Sequence, residues 1–133
     1  MASPLAEFAI SDGMIKPEEE FLYLTTLGRL TGEPRQIEIW FVEREGHYYV
    51  VSELRNGANW VKNIKKVSKV QFSVGLRANR KSSRVGTRAK ARLLEDDEDR
   101  ELICQVCDLM DAKYGWSNGL VVEVRPIRTS TAI

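Results

Sequence analysis

The stretch RQIEIWFVEREGHYYVVS, at residues 35–52, decides the fold class. Ile37 and Ile39 alternate with polar neighbours, which is the two-residue period of a half-buried β-strand. A polar turn separates this first strand, predicted over residues 35–42, from a second one over residues 47–52. Two strands joined by four polar residues predict an antiparallel β-hairpin.

Strand patterns also lie on both sides of this hairpin. Residues 28–34 are typical of a turn, and we predict further strands at residues 22–27, 70–75, 85–94 and 120–125. Because successive strands with short links pair antiparallel, the sequence predicts a sheet of about six strands, curled into a small barrel. The fold class is therefore mainly β, of α+β type.

Two or three helices flank the predicted barrel. A short one begins at Pro17 and the acidic residues 18–20. In the second, Asn59 is the predicted N-cap, and one face is formed by Trp60, Ile64 and Val67. The third begins with the acidic residues 95–99 and ends at Tyr114 before Gly115. Its predicted inner face consists of Leu102, Ile103, Val106, Leu109 and Met110.

Composition limits the functional classes. With 133 residues and 43% hydrophobic content, the chain predicts one domain over residues 1–133, with loose tails at 1–16 and 127–133. A formal net charge of +1 argues against a whole-molecule attraction to nucleic acid or membrane. The sequence contains no apolar run of about 20 residues and does not begin like a signal peptide, so we expect a cytoplasmic protein without a membrane partner.

Side chains that commonly carry catalysis are scarce. With one histidine and two cysteines, the chain cannot form the usual zinc sites of four cysteines, of two cysteines with two histidines, or of three histidines, so we expect no metal. We interpret His47 as a surface or barrel-rim residue. Cys104 and Cys107 lie mid-helix, which favours two reduced core or semi-buried thiols over a redox pair. Phosphate-loop, dinucleotide and serine-nucleophile motifs are absent, which favours chemistry carried by a cofactor.

Two segments could hold an anion. Residues 56–59 lead into the helix at Trp60, whose free N–H groups and dipole favour a phosphate, with Lys62, Lys65 and Lys66 nearby. A solvated lysine face is the alternative interpretation. The second segment, Arg77 to Arg92, contains seven cations and no acid, so an RNA-binding loop is an open alternative. Nucleic acid remains a disfavoured partner, because the segment lacks the aromatic residues that stack on bases.

Four segments carry a resemblance to a known family: LTTLGRLTGEPR at 24–35, IWF at 39–41, HYYVVS at 47–52 and ANWVKNI at 58–64. Together they resemble the deazaflavin (F420)-dependent nitroreductases, within the split β-barrel group that includes pyridoxamine 5′-phosphate oxidases. The resemblance covers residues 22–125. Its most specific parts are the Gly-Arg-x-Thr-Gly motif before a strand and the Asn-Trp-x-x-Asn-Ile motif at a helix start.

This resemblance implies an FMN or F420 cofactor in a groove that split barrels commonly share between two subunits. The residues it places at the cofactor are Arg35, Ser52, Ala58, Asn59, Trp60, Lys62 and Asn63. The implied function is a flavin- or deazaflavin-dependent oxidoreductase that reduces a small acceptor, such as a quinone or a nitro compound. A non-catalytic flavin- or haem-storage protein is the alternative.

Aromatic side chains suggest where the acceptor binds and why the protein would dimerise. Candidates for the acceptor pocket are Trp40, Tyr114 and Trp116. We expect no catalytic side chain, because the cofactor ring would perform the redox step. A small barrel with this many aromatic residues leaves some at its surface, and we therefore predict a homodimer.

Overall fold

The computed structural model describes residues 21–75 and 86–127. These residues form one antiparallel sheet, two α-helices and a short 3₁₀ turn at Arg55–Gly57. The strands are β1 (Phe21–Leu27), β2 (Pro34–Ile39), β3 (Phe41–Arg44), β4 (His47–Ser52), β5 (Lys69–Gly75), β6 (Thr87–Leu93) and β7 (Leu120–Pro126), and the helices are α1 (Asn59–Lys66) and α2 (Arg100–Tyr114). The predicted helix at 17–20, the tails 1–16 and 128–133 and the basic residues 77–84 lie outside the described residues.

The strand order of the sheet is β2-β1-β5-β6-β7-β4-β3, so its two edges are formed by strands that are consecutive in sequence. Ile39 at the end of β2 pairs with Leu22, whereas Phe41 at the start of β3 pairs with Val50. Only Trp40 connects the two edges. The sheet must therefore curl until its edges meet at this residue, which confirms the predicted split-barrel fold.

The prediction of a single strand over residues 35–42 is wrong, because the chain changes partner strands at Trp40. This break makes seven strands in the described residues instead of about six. Alternation cannot reveal it, since Ile37, Ile39 and Phe41 all contact the same apolar core on either side of the bend. The predicted hairpin is confirmed for its second part, where β3 pairs with β4.

Two apolar layers stabilise the sheet. The inner layer fills the curl of the barrel and includes Leu22, Leu24, Val50, Phe72, Val122 and Val124, with Ile64 from α1. The outer layer lies between the other face and α2, and includes Tyr49, Val51, Val106, Met110 and Val121. The sheet is thus buried on both faces where α2 covers it.

The prediction that residues 95–99 open helix α2 is wrong, because the helix begins at Arg100. It ends as predicted, with Gly115 in the left-handed conformation at φ 74°. Its predicted inner face is confirmed at Val106 and Met110, but Leu109 is exposed. Both cysteines are free, and Cys104 is exposed instead of buried or semi-buried as predicted, because it lies on the helix face away from the sheet. Neither α-helix of the described segments has the length and apolar character needed to cross a membrane.

A charged network crosses the outer face beside α2. The Glu123 carboxylate is buried, and it accepts hydrogen bonds from Tyr49 Oη at 3.0 Å and Arg92 Nε at 3.3 Å. His47 Nδ1 lies 3.6 Å from the same carboxylate, which places this histidine at the barrel surface as predicted. Arg92 also pairs with Asp99, the residue that precedes α2. The network therefore connects β4, β6 and β7 to the start of the helix.

Stability should fall at alkaline pH through Tyr49. Burial, reinforced by the hydrogen bond to Glu123, raises the pKa of Tyr49 from 10.0 to about 12. As pH rises, the unfolded chain loses this proton first, so the free energy of unfolding should decrease between pH 10 and pH 12. Tyr49→Phe should remove this part of the decrease in denaturation experiments. Equal pH slopes for the two proteins would contradict this role of Tyr49.

Candidate functional site

A cleft of about 1190 Å³ opens beside the split of the barrel. Its walls come from β2, the β1–β2 turn, the end of β4 with the following loop, and the start of α1. Apolar side chains line one part of it and include Ile37, Ile39, Trp40, Leu54 and Trp116. Polar groups converge on the other part, where the β1–β2 turn meets α1. The cleft therefore combines an apolar wall for a flat ring with a polar end for a charged group.

Arg29 joins the β1–β2 turn to α1. Its guanidinium Nη1 donates to Asn63 Oδ1 at 3.0 Å and to the Asn59 carbonyl at 3.4 Å, while Nη2 donates to Asn59 Oδ1 at 3.3 Å. Lys66 Nζ donates to the Arg29 carbonyl at 3.2 Å. The two motifs that carry the family resemblance, about thirty residues apart, are thus in direct contact.

Asn63 is the buried centre of this contact, with only 4% of its surface exposed. Its carbonyl oxygen accepts from both the backbone N–H and the guanidinium of Arg29, each at 3.0 Å. Its amide group donates to Thr26 Oγ1 at 3.1 Å. Every part of this side chain is therefore used to fix β1, the turn and α1 relative to one another.

The start of α1 differs from the sequence prediction. Asn59 is not the N-cap; that position belongs to Ala58, and no side chain caps the helix. The Asn59 side chain is instead used to accept from Arg29. Ala58, Asn59 and Trp60 all line the cleft. Because the first N–H groups of a helix need acceptors from outside it, this uncapped end offers donors to an anion in the cleft.

Two cations, Arg29 and Arg35, line the cleft, and its lining also includes the carboxylates of Glu38 and Glu53. The guanidinium is held by amide and carbonyl oxygens, and it forms no ion pair with a carboxylate among the described residues. Arg35 also lines the cleft, and its Nε would lie 3.7 Å from a Cβ placed on Gly28, the residue before Arg29. Two cations and one helix start therefore face the same region.

An aromatic cluster supports the apolar wall. The ring of Trp40 stacks on Tyr114, with centroids 4.4 Å apart and planes at 7°, and meets Trp116 edge-on at 6.3 Å. The Tyr114 hydroxyl donates to the Phe41 carbonyl at 3.1 Å and accepts a hydrogen bond from the Phe41 N–H at 3.2 Å. Tyr114 thus fixes the bend between β2 and β3, through its stacking on Trp40 and its hydrogen bonds to the Phe41 backbone.

The structure brings most of the sequence-predicted residues to one cleft. Those that line it are Arg35, Ser52, Ala58, Asn59, Trp60 and Asn63 from the predicted cofactor set, and Trp40 and Trp116 from the predicted acceptor set. Lys62 is exposed on α1 and Tyr114 lies behind Trp40, so neither lines the cleft. Sequence reasoning missed Arg29 as a site residue, although the Gly-Arg-x-Thr-Gly motif contains it.

The loop after β4 closes one side of the cleft and depends on a glycine. Ser52 Oγ donates to the Arg55 carbonyl at 2.9 Å, and Arg55 has a left-handed backbone at φ 53°. A Cβ on Gly119 would overlap the Ser52 carbonyl oxygen. Only glycine therefore allows the start of β7 to approach β4 this closely.

Gly119→Ala should accordingly destabilise the protein by about 2 kcal/mol or more, since backbone atoms must move to admit the methyl group. Gly57→Ala is the matched control, because a Cβ there meets nothing within 4 Å. That control should change the free energy of unfolding by less than about 0.5 kcal/mol. Chemical denaturation measures both. Equal effects would contradict the close contact at Ser52.

Comparison with protein families decides the assignment. The family model described as F420H(2)-dependent quinone reductase matches residues 9–121, most of the chain. The chain belongs to this family. Membership in the F420H(2)-dependent quinone reductases confirms the resemblance to deazaflavin-dependent enzymes and the predicted oxidoreductase class. No curated protein matches the chain significantly.

Solved structures agree with this fold. The haem storage protein HutZ from Vibrio cholerae is 20% identical, with a TM-score of 0.66 over 84% of each chain. An F420-H2 dependent reductase, FDR-A, is 21% identical, with a TM-score of 0.56 over 85% of this chain and 100% of that one. A FAD-binding protein from Mesorhizobium loti is 11% identical, with a TM-score of 0.64 over 84% of each chain. These likenesses establish the barrel architecture.

Proposed function

We propose that the protein uses reduced F420 to reduce a small acceptor, a quinone, in the cleft between β2 and α1. The observation that carries this proposal is the contact of Arg29 with Asn59 and Asn63, which holds a guanidinium without a carboxylate partner among the described residues at the polar end of an apolar cleft. A deazaflavin with an anionic tail has the matching shape, a flat ring followed by negative charge. The family description supports F420 over FMN.

The residues present fit such a cofactor. Arg29 and Arg35 would hold its anionic part together with the N–H groups at the start of α1, since charge-assisted hydrogen bonds are the strong ones. Lys62 would add positive charge from the exposed side of α1, without lining the cleft. Ile37, Ile39 and Trp60 would contact the apolar ring. When bound, reduced F420 would supply the hydride that reduces the acceptor.

The chain's own contribution is to bind, orient and exclude water. No histidine or cysteine lines the cleft among the described residues, so no proton-transferring side chain of those types faces it. Trp40 and Trp116 would bind one face of a planar acceptor. Tyr114 would keep Trp40 in place through their stacking contact. Ser52 would act indirectly, by fixing the loop that borders the cleft.

Haem storage is the less supported function. The only histidine of the chain, His47, lies beside Glu123 on the face next to α2 and does not line the cleft. The described lining residues include no histidine, cysteine, methionine or tyrosine, the side chains that usually bind haem iron. A haem in this cleft would therefore lack an axial ligand from the described part of the chain.

The predicted homodimer and cytoplasmic location remain part of the proposal. Leu54 is 70% exposed and Trp40 is 37% exposed, and both lie at the cleft, so a second copy could cover them. Light scattering should give about twice the 15.2 kDa chain mass. A mass of one chain at micromolar concentration would contradict the dimer.

Steady-state turnover tests the reaction. The purified protein should oxidise reduced F420 in the presence of a soluble quinone, followed by the visible absorbance of the oxidised cofactor. Trp40→Ala should raise KM for the quinone by about tenfold, because the stacked wall is lost, whereas Trp60→Ala should mainly raise KM for the cofactor. Turnover with reduced FMN but not with reduced F420 would overturn the proposed cofactor, and no turnover with either would overturn the enzyme.

A further inference from the structure

Three large apolar side chains are exposed at one end of the sheet. Leu27 is 37% exposed, Ile127 is 43% exposed, and both line a shallow groove of about 320 Å³ on the outer face. Leu30, in the turn that follows β1, is 87% exposed. Leu30 comes three residues after Leu27 in the chain and lines the neighbouring cleft, whereas Leu27 and Ile127 line the groove.

Lysine and arginine residues lie beside these apolar side chains, and one exposed acid, Glu33, belongs to the same turn as Leu30. Lys69 and Arg88 form part of the groove wall. The Lys66 ammonium group donates to the Arg29 carbonyl at 3.2 Å, which places the lysine-rich end of α1 next to Leu30. Lys62 and Lys65 are exposed on the same helix. Neither α1, β5 nor β6 contains an acidic residue.

The strand register adds a second feature. Lys69 on β5 lies directly opposite Lys90 on β6, and Lys90 lies opposite Arg125 on β7. Like charges in directly opposite positions destabilise a sheet. Arg125 forms an ion pair with Glu123, with 3.6 Å between Nη2 and Oε1, but Lys69 and Lys90 form no ion pair with any residue in the described ranges. This row is typical of a surface that receives an anionic partner.

We propose that this surface docks onto an anionic lipid bilayer. The docking surface consists of Leu27, Leu30, Ile127, Lys65, Lys66, Lys69, Arg88 and Lys90. Stable but reversible attachment to a membrane surface needs two signals, an apolar insertion and a polybasic attraction, and the docking surface offers both. Leucine and isoleucine side chains match the acyl region, while the lysines match the headgroups of phosphatidylglycerol or similar lipids.

Other partners fit the docking surface less well. A second copy in a symmetric dimer would bring the same cations against one another, which is repulsive. Nucleic acid would match the charges, but the groove has no aromatic residue for stacking on bases, and Leu30 would gain no apolar contact. The sequence-based expectation of no membrane partner relied on the absence of a spanning apolar run and on the net charge of +1, and this charge averages the basic end with acidic residues elsewhere.

Docking would also orient the cleft. Leu30 lines the cleft as well as projecting from the docking surface, so attachment places this side of the cleft at the bilayer. A lipophilic quinone dissolved in the membrane would then reach the apolar wall without crossing water. This access route depends on the proposed function, whereas docking itself does not.

Vesicle flotation with the full chain, without cofactor, tests the docking. The protein should float with vesicles of phosphatidylcholine containing about a third phosphatidylglycerol, and bind pure phosphatidylcholine at least about tenfold more weakly. High salt should release it. Lys65→Gln with Lys69→Gln, and separately Leu30→Ser, should each weaken binding by about tenfold. Since no turnover is measured, failure of the reductase activity would not affect this result.

Matched controls lie on α2, where Arg100 and Leu109 are exposed. Arg100→Gln with Leu109→Ser should leave vesicle binding unchanged within about twofold, with the fold of each variant checked by circular dichroism. No preference for phosphatidylglycerol, or loss of binding only in the α2 variant, would overturn the proposal. Equally tight binding to an oligonucleotide or to polyglutamate that does not depend on Leu30 would also overturn it. A dimer that Leu30→Ser dissociates would overturn it as well.

Discussion

Replacing Arg29 with alanine is expected to weaken F420 binding by about a hundredfold. The variant loses a cation that lines the cleft and has only amide and carbonyl partners among the described residues, and with it about 2.7 kcal/mol of binding free energy. It also loses the connection that holds the β1–β2 turn against α1. Calorimetric titration with oxidised F420 measures the change.

Three further variants separate charge from geometry. Arg29→Lys keeps the charge, but an ammonium group lacks the planar set of N–H donors with which the guanidinium bonds Asn59 and Asn63. This variant should therefore recover only part of the affinity. Lys62→Ala, on the exposed face of α1, should weaken binding by less than about fivefold. Arg100→Ala, on α2, should have no measurable effect. An Arg29→Ala protein that binds within about threefold of the wild type would contradict the role of Arg29.

Replacing Asn63 with alanine should lower the free energy of unfolding by about 3 kcal/mol. Its buried side chain satisfies the Arg29 N–H, the Arg29 guanidinium and the Thr26 hydroxyl, and removing it leaves these groups without their partner. We expect the loss in chemical denaturation, with the slope against denaturant unchanged.

Asn59→Ala is the matched control, since Asn59 is exposed and its side chain is bonded to the guanidinium of Arg29 at the surface. Its effect should stay below about 1 kcal/mol, because water can replace an exposed partner. If the two asparagine variants were equally stable, the buried network would not be what fixes α1 against β1.

Local patterns predicted much of the fold. The hairpin turn at residues 43–46, the strand patterns at residues 47–52 and 120–125 and the glycine after Tyr114 are signals within a few residues, and the structure confirms each. The start of α1 was also predicted as a possible anion site from local loop chemistry. These features need no knowledge of where distant segments lie.

Contacts between distant segments were not predictable in the same way. The bend at Trp40 follows from the pairing of Ile39 with one strand and Phe41 with another, and the apolar alternation continues through it. Arg29 reaches residues 30 and 34 positions further along the chain. Its motif was visible in the sequence, but only the topology places its guanidinium at the cleft.

The distribution of charge over the folded surface was likewise not predictable from local sequence patterns. A net charge of +1 is correct for the chain, yet cations concentrate where α1, β5 and β6 come together. The acids that balance them lie in other segments, such as residues 95–99. Cross-strand register, which no single strand reveals, places Lys69 against Lys90.

Calorimetric titration of the wild-type protein with F420 and with FMN tests the central claim, that the Arg29-centred cleft binds a deazaflavin. We predict binding of F420 at micromolar or tighter affinity, about −8 kcal/mol, and binding of FMN at least about tenfold more weakly. Tighter binding of FMN than of F420, or no heat of binding with either cofactor, would contradict the account.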